Sequence, residues 1–241
     1  MDIRETIIET NQGGIKLVQY NKPNKKNAID SVMYQRVINI LNDAATDDNI
    51  SVMVLTGTGD FYSSGNDFST QSDNKENNLN VIKDYIKAFI MFPKLLIAIV
   101  NGPAIGIAAT TLALCDLVFA SESSYFYTPF SKLGIVAEGC SSFTFPRLIG
   151  DRKAIEMLIC NYRMSAREAL ECGLINYIYK PEELQSTVWN KIIEVSKLPQ
   201  YSVTATKKLL RDTVRGALLN TNEKEIEQLN YIWSKGYKSK I

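Results

Sequence analysis

The residue best suited to proton transfer is Glu138, in the stretch G-I-V-A-E-G-C-S-S at residues 134–142. Apolar residues precede it, and small residues follow it just before a predicted helix. Limited hydration favours the neutral carboxyl, which raises the pKa of a glutamate towards the range useful for proton transfer. A glutamate at a helix N-terminus can instead serve as a stabilising charge, and the helix dipole then lowers its pKa. The spacing alone leaves both interpretations open.

The sequence contains no histidine and only scattered cysteines. Histidine is the usual base of Ser-His and Cys-His sites and the commonest metal ligand, so acid-base chemistry here falls to carboxylates, lysines or tyrosines. The four cysteines lie far apart and form no C-x-x-C pair. This spacing disfavours a zinc site or a disulfide framework and favours a reducing compartment. No metal ion and no redox cofactor is expected.

Two glycine-containing loops could supply hydrogen-bond donors to an anion. Residues 61–68, F-Y-S-S-G-N-D-F, follow one predicted buried strand, and residues 101–110, N-G-P-A-I-G-I-A-A-T, follow another. Loops at the carboxyl ends of parallel strands commonly hold ligands, and the first-turn N–H groups of a helix bind anions. If the loops converge, these N–H groups form an oxyanion hole for a thioester oxygen. An ordinary turn and close helix packing are the alternative interpretations.

The composition is that of a folded protein with nearly balanced charge. Its 241 residues are 45% hydrophobic, and it has 27 basic and 26 acidic side chains. Such a chain can bury a core, but no overall positive field attracts nucleic acid or an anionic membrane. No apolar run reaches the roughly 18 to 20 residues that span a bilayer, and the charged N-terminus does not resemble a secretory signal. Neither nucleic acid nor membrane is expected as a partner.

Alternating strand and helix patterns must position the candidate residues. Two β-rich runs around Gly13 and Gly14 predict a hairpin, and the strand-helix units that follow predict an α/β core with parallel strands. The helical last third is expected to cap this core or a neighbouring subunit. Ser31 is the expected cap of the first long helix. The other predicted helices are residues 79–91, 104–114, 141–148, 152–159, 165–172, 181–197, 201–211 and 217–233, and the predicted strands are residues 6–9, 15–20, 51–55, 95–100, 116–120 and 175–179.

Several motifs together resemble the enoyl-CoA hydratase/isomerase (crotonase) superfamily from about residue 7 to the C-terminus. They are N-K-P-N-K-K-N-A-I, F-Y-S-S-G-N-D-F, N-G-P-A-I-G-I-A-A-T-T-L-A-L-C-D, T-P-F-S-K-L-G and E-G-C-S-S-F-T-F-P. The resemblance implies an α/β, crotonase-like (ClpP/crotonase) spiral of repeated β-β-α units over residues 1–195, with a helical trimerisation segment over residues 196–241. It also implies an acyl-CoA thioester substrate and assembly as a homotrimer or a dimer of trimers.

The resemblance also assigns roles to individual residues. The oxyanion hole falls on the backbone N–H groups of Asn66 and Ile107, and Glu138 takes the place of the single catalytic glutamate of Δ3,Δ2-enoyl-CoA isomerases. Lysine charge suits the phosphates of CoA, although exposed lysines are ordinarily only solvated. The residues expected to contact substrate or CoA are Lys25, Lys26, Ser63, Ser64, Gly65, Asp67, Gly106, Phe130 and Leu133.

Two departures from the hydratase pattern decide the expected reaction. Hydratases of the superfamily carry a pair of glutamates at the positions of Thr110 and Phe130. Without that pair nothing activates water. The resemblance therefore favours an isomerase that converts a 3-enoyl-CoA to the trans-2-enoyl-CoA in the β-oxidation of unsaturated fatty acids, with CoA as part of the substrate. The alternatives are a non-catalytic acyl-CoA-binding or scaffold module, as in chromodomain Y-like proteins, a dienoyl-CoA isomerase and a thioester hydrolase.

The last three residues, Ser239, Lys240 and Ile241, differ by one aliphatic isomer from the Ser-Lys-Leu peroxisomal address. A solvated, lysine-rich tail is the alternative interpretation. Because E-G-C-S-S and T-F-P are most similar to the peroxisomal isomerases, a peroxisomal location is expected in preference to the mitochondrion or the cytosol. The peroxisomal import receptor is then an expected partner.

Overall fold

A computed structural model describes residues 6–70 and 75–235 of the protein. The expected C-terminal address at residues 239–241 lies outside these ranges. The strands are β1 (Ile7–Gln12), β2 (Ile15–Tyr20), β3 (Val52–Gly57), β4 (Leu95–Val100), β5 (Ala104–Ile105), β6 (Leu117–Ser121), β7 (Tyr125–Tyr127), β8 (Arg163–Ser165) and β9 (Tyr177–Tyr179). The α-helices are α1 (Ser31–Thr46), α2 (Lys75–Met91), α3 (Ile107–Thr110), α4 (Ser141–Ile149), α5 (Asp151–Leu158), α6 (Ala166–Glu171), α7 (Thr187–Ser196) and α8 (Gln200–Ser234).

The main sheet has the strand order β1-β2-β3-β4-β6-β9, and β5-β7-β8 form a smaller sheet beside it. The hairpin of β1 and β2 is antiparallel and turns at Gly13 and Gly14, both with positive φ. The remaining neighbours in the main sheet pair in parallel. The predicted hairpin and the predicted α/β core with parallel strands are therefore confirmed.

Apolar strands fill the centre of the main sheet because both of its faces are covered. All of β3 is buried, and so is β4 after its first residue. The larger core lies on the side of α1, α2 and α8, and a smaller core lies under α7. Continuous aliphatic strands of this kind are typical of parallel sheets with helices on both faces. In the described ranges, no helix is long and apolar enough to cross a membrane.

Several element boundaries differ from the sequence predictions. The cap of α1 is Asp30 rather than Ser31, because the Asp30 carboxylate accepts a hydrogen bond from the Met33 N–H at 2.9 Å. α2 begins at Lys75, four residues before the predicted start. The predicted helix over residues 104–114 is broken into β5, α3 and a 3₁₀ turn, because the chain first joins the small sheet. That sheet was not predicted, since its strands have two or three residues each.

The C-terminal third contains one continuous helix, α8, where two helices separated near residues 212–216 were predicted. Gly216 lies inside this helix and costs only about 1 kcal/mol relative to alanine. Ion pairs from Asp212 to Lys208 and Arg215 stabilise the same turns. α8 packs on α2 and α4 of its own chain. Of the two expected arrangements, this is the one in which the helical segment caps its own core. The division at residues 195 and 196, and the trimerisation role, stay predictions.

Asp116 anchors the first half of α8 to the main sheet. Its carboxylate accepts hydrogen bonds from the Leu96 N–H at 2.8 Å, from Lys207 at 2.6 Å and from Arg211 at 3.0 Å. Lys207 is buried and also donates to the carbonyl of Lys94. Burial lowers the pKa of Lys207, and the adjacent Asp116 charge opposes this shift. The cluster therefore ties a buried cation on α8 to the edges of β4 and β6.

We expect Asp116→Ala to destabilise the protein strongly. Removing one partner of a buried ion pair leaves the other charge uncompensated and typically costs roughly 3 to 5 kcal/mol. Chemical denaturation followed by circular dichroism measures the change. Asp212→Ala is the matched control, because Asp212 pairs with two cations on the exposed face of the same helix. Equal midpoints for the two variants would contradict the anchoring role.

Candidate active site

Glu138 lies in the tight turn that precedes α4, and only 2% of its surface is exposed. Gly139 follows it with φ +71°, a conformation that L side chains rarely adopt. A Cβ atom on Gly139 would lie 2.2 Å from Oγ1 of Thr110. Only glycine therefore lets this turn pack so closely against α3, and the packing carries Glu138 into the interior.

The two carboxyl oxygens of Glu138 have different surroundings. Oε1 accepts a hydrogen bond from Nδ2 of Asn66 at 3.2 Å, whereas Oε2 is buried and has no partner among the residues that the structure describes. Burial, reinforced by the charge of Glu225 and opposed by the Asn66 hydrogen bond, raises the pKa of Glu138 to about 8. A helix-end charge would be shifted in the opposite direction. The environment therefore favours the interpretation of Glu138 as a proton-transfer group.

Tyr34 of α1 fixes the amide of Asn66. Its hydroxyl donates a hydrogen bond to Oδ1 of Asn66, so that the amide nitrogen points to Glu138. The Tyr34 ring packs edge-on against Tyr85 of α2, with 4.7 Å between the ring centroids. Burial, together with the charge of Glu138, raises the pKa of Tyr34 well above its ordinary value. Tyr34 therefore remains a hydrogen-bond donor when Glu138 ionises.

The two predicted loops converge next to Glu138. The Ser63 N–H donates to the Pro103 carbonyl at 3.2 Å, and the Ile105 N–H donates back to the Ser63 carbonyl at 3.0 Å. Gly65 has φ +83°, and a Cβ atom there would lie 2.6 Å from the Ile105 carbonyl oxygen. The close approach of the loops thus depends on glycine at this position.

Two backbone N–H groups at this junction are free to bind an anion. No described residue accepts a hydrogen bond from the N–H of Asn66, which follows Gly65, or from that of Ile107. Ile107 is the first residue of α3, where a helix offers unpaired donors. The residues proposed for the oxyanion hole are therefore brought together with their donors unused.

A cavity opens beside Glu138 between α1, α2 and α8. Trp233 and Leu229 of α8 and Ile82 of α2 contribute apolar side chains to its lining. Predominantly apolar walls with a few polar groups are typical of ligand sites. The lining residues are Ile29, Asp30, Ser31, Tyr34, Asn66, Asp67, Phe68, Ile82, Ile135, Glu138, Leu229 and Trp233.

The two predicted lysines differ in their partners. The ammonium group of Lys25 is 3.6 Å from a carboxylate oxygen of Asp67, and its side chain is 54% exposed. Lys26 is exposed and lies over the ring of Phe61, 5.2 Å from its centroid. Lys22, which was not predicted, bridges Asp67 at 3.2 Å and Asp30 at 3.0 Å. Lys26 is therefore free of ion pairs among the described residues, whereas Lys25 is partly neutralised.

The two predicted serines have different environments. Ser63 is buried, and its hydroxyl donates to the Asn27 carbonyl at 2.8 Å and accepts from the Gly65 N–H at 3.0 Å. Ser63 therefore stabilises the conformation of the 61–68 loop through its buried hydroxyl. Ser64 is half-buried, and its N–H donates to the Lys26 carbonyl. A contact of either serine with CoA stays a prediction.

Among the predicted contact residues that the structure describes, Asp67 belongs to the cavity lining and the others do not. Phe130 is buried and Leu133 nearly so, both in the segment before the turn that carries Glu138. Gly106 has φ +59° and donates its N–H to the Tyr127 carbonyl, which sets the start of α3. Across the described ranges, no three His, Cys, Asp or Glu side chains are grouped as a metal site.

The sequence did not predict three residues that contribute to the candidate site: Tyr34, Glu225 and Trp233. Glu225 lies on a buried stripe of α8 with Leu218, Asn222 and Leu229. A carboxylate on the apolar face of a helix is unusual, because a buried charge needs partners. That departure from the helical pattern is a signal that could have identified Glu225.

The chain is similar to known proteins in both sequence and structure. The sequence model of a family described as enoyl-CoA hydratase/isomerase matches residues 10–239. Enoyl-CoA delta isomerase 2 of Rattus norvegicus is 42% identical over 234 residues, which cover 94% of this chain and 60% of the relative. Enoyl-CoA delta isomerase 3, peroxisomal, of Mus musculus is 39% identical over 226 residues, covering 91% of this chain and 71% of the relative. The chain thus spans less than two thirds of the rat isomerase.

A chromodomain Y-like relative and a solved structure are also similar. Chromodomain Y-like protein 2 of Mus musculus is 32% identical over 239 residues, which cover 96% of this chain and 47% of that protein. The crystal structure of an enoyl-CoA hydratase/isomerase from Pseudoalteromonas atlantica T6c superposes with a TM-score of 0.87 at 27% identity. The superposition covers 94% of this chain and 90% of the other.

Proposed function

The chain belongs to the enoyl-CoA hydratase/isomerase family, which confirms the expected crotonase-like fold, and from this premise we propose that it is a Δ3,Δ2-enoyl-CoA isomerase. The observation that carries the proposal is the unpaired, buried Oε2 of Glu138 beside two free backbone N–H groups. A carboxyl with a pKa of about 8 can both accept and return a proton near neutral pH. The two isomerase relatives support the same reaction class.

The proposed mechanism needs one base. The thioester oxygen of a 3-enoyl-CoA binds to the N–H groups of Asn66 and Ile107, and the carboxylate of Glu138 removes a proton from C2. The electron pair of the C2–H bond shifts towards the thioester and gives a dienolate, whose charge the two N–H groups stabilise. Glu138 then returns the proton to C4 as the double bond moves to C2 and C3. No atom or electron is gained or lost, and no cofactor is consumed.

The residues at the two hydratase glutamate positions support isomerisation over hydration. Thr110 occupies the position of one hydratase glutamate, is fully buried, and donates its hydroxyl to the Ile107 carbonyl at 3.3 Å. Phe130 occupies the position of the other and is 1% exposed. Neither side chain can hold a water molecule as a carboxylate does. Phe130 also keeps this part of the interior apolar, which disfavours entry of water.

A second candidate is a non-catalytic acyl-CoA-binding or scaffold module. The similarity to chromodomain Y-like protein 2 over 96% of the chain supports it, and a shared fold does not establish activity. Dienoyl-CoA isomerisation and thioester hydrolysis are rivals within the enzyme class. The raised pKa of Glu138 together with its unpaired, buried Oε2 favours proton transfer over simple binding, because strongly perturbed carboxyls that line a cavity cluster at catalytic sites.

Turnover of a 3-enoyl-CoA tests these candidates. We expect trans-2-enoyl-CoA as the product, without hydration or release of free CoA, and kcat/KM that rises with pH to an inflection at about 8. The direction follows from the base role, because the proton on Glu138 must leave before C2 can be deprotonated. Chromatography identifies the products, and a parallel titration measures CoA binding. Binding without turnover would support the scaffold, and conversion only of a 3,5-dienoyl-CoA would support the dienoyl isomerase.

We further propose a peroxisomal location and assembly as homotrimers or dimers of trimers. The name of the mouse relative includes the word peroxisomal, and residues 239–241 read Ser-Lys-Ile. Exposed apolar side chains on α8, including Tyr201 at 81% and Leu209 at 74%, support association with further copies.

A further inference from the structure

The N-terminus of α4 lacks a side-chain cap of its own. Its N-cap residue is Cys140, whose side chain makes no capping hydrogen bond and whose backbone has φ +61°. A non-glycine residue in the left-handed region is strained and persists only where its surroundings hold it. The thiol of Cys140 donates to the Leu218 carbonyl of α8 at 3.3 Å. The turn that carries Glu138 is thus held from outside its own segment.

Glu225 of α8 supplies the missing cap. Its Oε2 accepts a hydrogen bond from the Cys140 N–H at 2.7 Å, and its Oε1 accepts from the Ser142 N–H at 3.0 Å and from the Ser142 hydroxyl at 2.6 Å. The side chain is buried, with 7% of the residue surface exposed. Hydrogen bonds from N–H groups to a charged acceptor are stronger than neutral ones. A carboxylate 85 positions from Cys140 in sequence therefore holds both the N-cap residue and the second residue of α4.

The hydrogen bonds of the turn lead directly to Glu138. Ser141, between the two residues that Glu225 binds, donates its N–H and its hydroxyl to the Glu138 carbonyl, the latter at 2.8 Å. If Glu225 released Cys140 and Ser142, Cys140 could leave its strained conformation and the Glu138 backbone would move with it. Glu225 is absent from the cavity lining and so does not reach the reacting atoms.

We propose that Glu225 is a positioning residue of the active site, which aims Glu138 into the cavity and makes its geometry depend on the docking of α8. The inference rests on the proposed catalytic role of Glu138. It also explains why a carboxylate that the mechanism does not use is buried. The hydrogen bonds of Glu225 link α8 to the turn that carries Glu138, in addition to the part of the cavity lining that Leu229 and Trp233 form.

Charge gives Glu225 a second effect on Glu138. Burial raises the pKa of Glu225 to about 7, and its hydrogen bonds from Ser142 and Cys140 oppose this shift, so it is largely ionised at the pH where Glu138 titrates. Its negative charge then raises the pKa of Glu138. The other titratable groups that face the cavity are Tyr34 of α1, which stays neutral, and Asp30 and Asp67, whose charges Lys22 partly offsets.

Two conservative variants of Glu225 separate its effect on the position of Glu138 from the effect of its charge on the pKa of Glu138. Glu225→Gln keeps the size but places an amide NH₂ against one of the two N–H donors and removes the charge. We expect kcat to fall roughly 100-fold at nearly constant KM, as misplacement of a catalytic group by about 1 Å does. The inflection of kcat/KM should also move to lower pH. Glu225→Asp keeps the charge but shortens the reach, so kcat should fall while the inflection stays above that of Glu225→Gln.

Glu227→Gln, on the exposed side of the same helix, is the matched control and should leave kcat and the inflection unchanged. Circular dichroism confirms folding, and hydrogen exchange at the Cys140 and Ser142 amides should be faster in both Glu225 variants. A folded Glu225→Gln variant with wild-type kcat, inflection and exchange overturns the inference; if it does not fold, Glu225→Asp decides by the same kcat and exchange measurements. A wild-type protein that does not convert 3-enoyl-CoA defeats the proposed function instead, and the exchange measurement then still decides whether Glu225 holds the turn.

Discussion

Glu138→Gln is expected to abolish most conversion of 3-enoyl-CoA, lowering kcat by roughly 10²- to 10⁴-fold, the usual loss when one catalytic base is removed. Glutamine has nearly the same shape, and its side-chain oxygen can still accept the hydrogen bond that Asn66 donates to Oε1. The amide cannot accept a proton from C2, so the dienolate does not form. Acyl-CoA binding should persist, because the two backbone N–H groups of the proposed oxyanion hole are unchanged.

The measurement is a rate assay beside a calorimetric titration with a saturated acyl-CoA, which binds without reacting. Glu122→Gln is the control, because Glu122 is exposed in the turn after β6 and lies outside the cavity lining. Glu138→Gln and Glu122→Gln each remove one negative charge, so any difference in kcat between the two variants reflects where the glutamate lies. Near-normal turnover in Glu138→Gln would remove the single-base mechanism, and loss of acyl-CoA binding would show that the substitution had disturbed the pocket rather than the chemistry.

The parts of the site that sequence could predict are those in which local residue types dictate local conformation. Gly65 and Gly106 mark the two turns, the apolar runs of β3 and β4 mark the strands that feed them, and Glu138 stands out among small neighbours. Each of these signals lies within about ten residues of the chain, where turn and strand preferences operate. The resemblance to a known family then assigned the two loops and Glu138 to one active site.

The parts that could not be predicted depend on contacts between distant segments. Tyr34 is one of several apolar-face residues of α1, and only the fold shows that its hydroxyl meets Asn66. The bonds from Cys140 and Ser142 to Glu225 join residues more than 80 positions apart. α8 was predicted as two helices because local propensity weighs Gly216 heavily, whereas packing on α2 and α4 outweighs it.

Gly65→Ala should produce the second large loss of kcat, because it disturbs the proposed oxyanion hole rather than the proposed base. A Cβ atom at this position would lie 2.6 Å from the Ile105 carbonyl oxygen, and alanine at φ +83° is strained even without that clash. Relief requires the loop to move away from β5, and the N–H of Asn66, the next residue, moves with it. Loss of one oxyanion donor typically costs roughly 10²- to 10³-fold in kcat, so we expect a decrease of that order.

Gly216→Ala distinguishes this effect from a general cost of replacing glycine. Gly216 is exposed inside α8, and a Cβ atom there would meet nothing within 4 Å. Alanine favours the helix by up to about 1 kcal/mol, so this variant should be slightly more stable at unchanged kcat. Thermal unfolding and the 3-enoyl-CoA assay measure both quantities for each variant. If Gly65→Ala remained folded with wild-type kcat, the Asn66 N–H could not be an oxyanion donor, because the displaced loop would no longer present it beside Ile107.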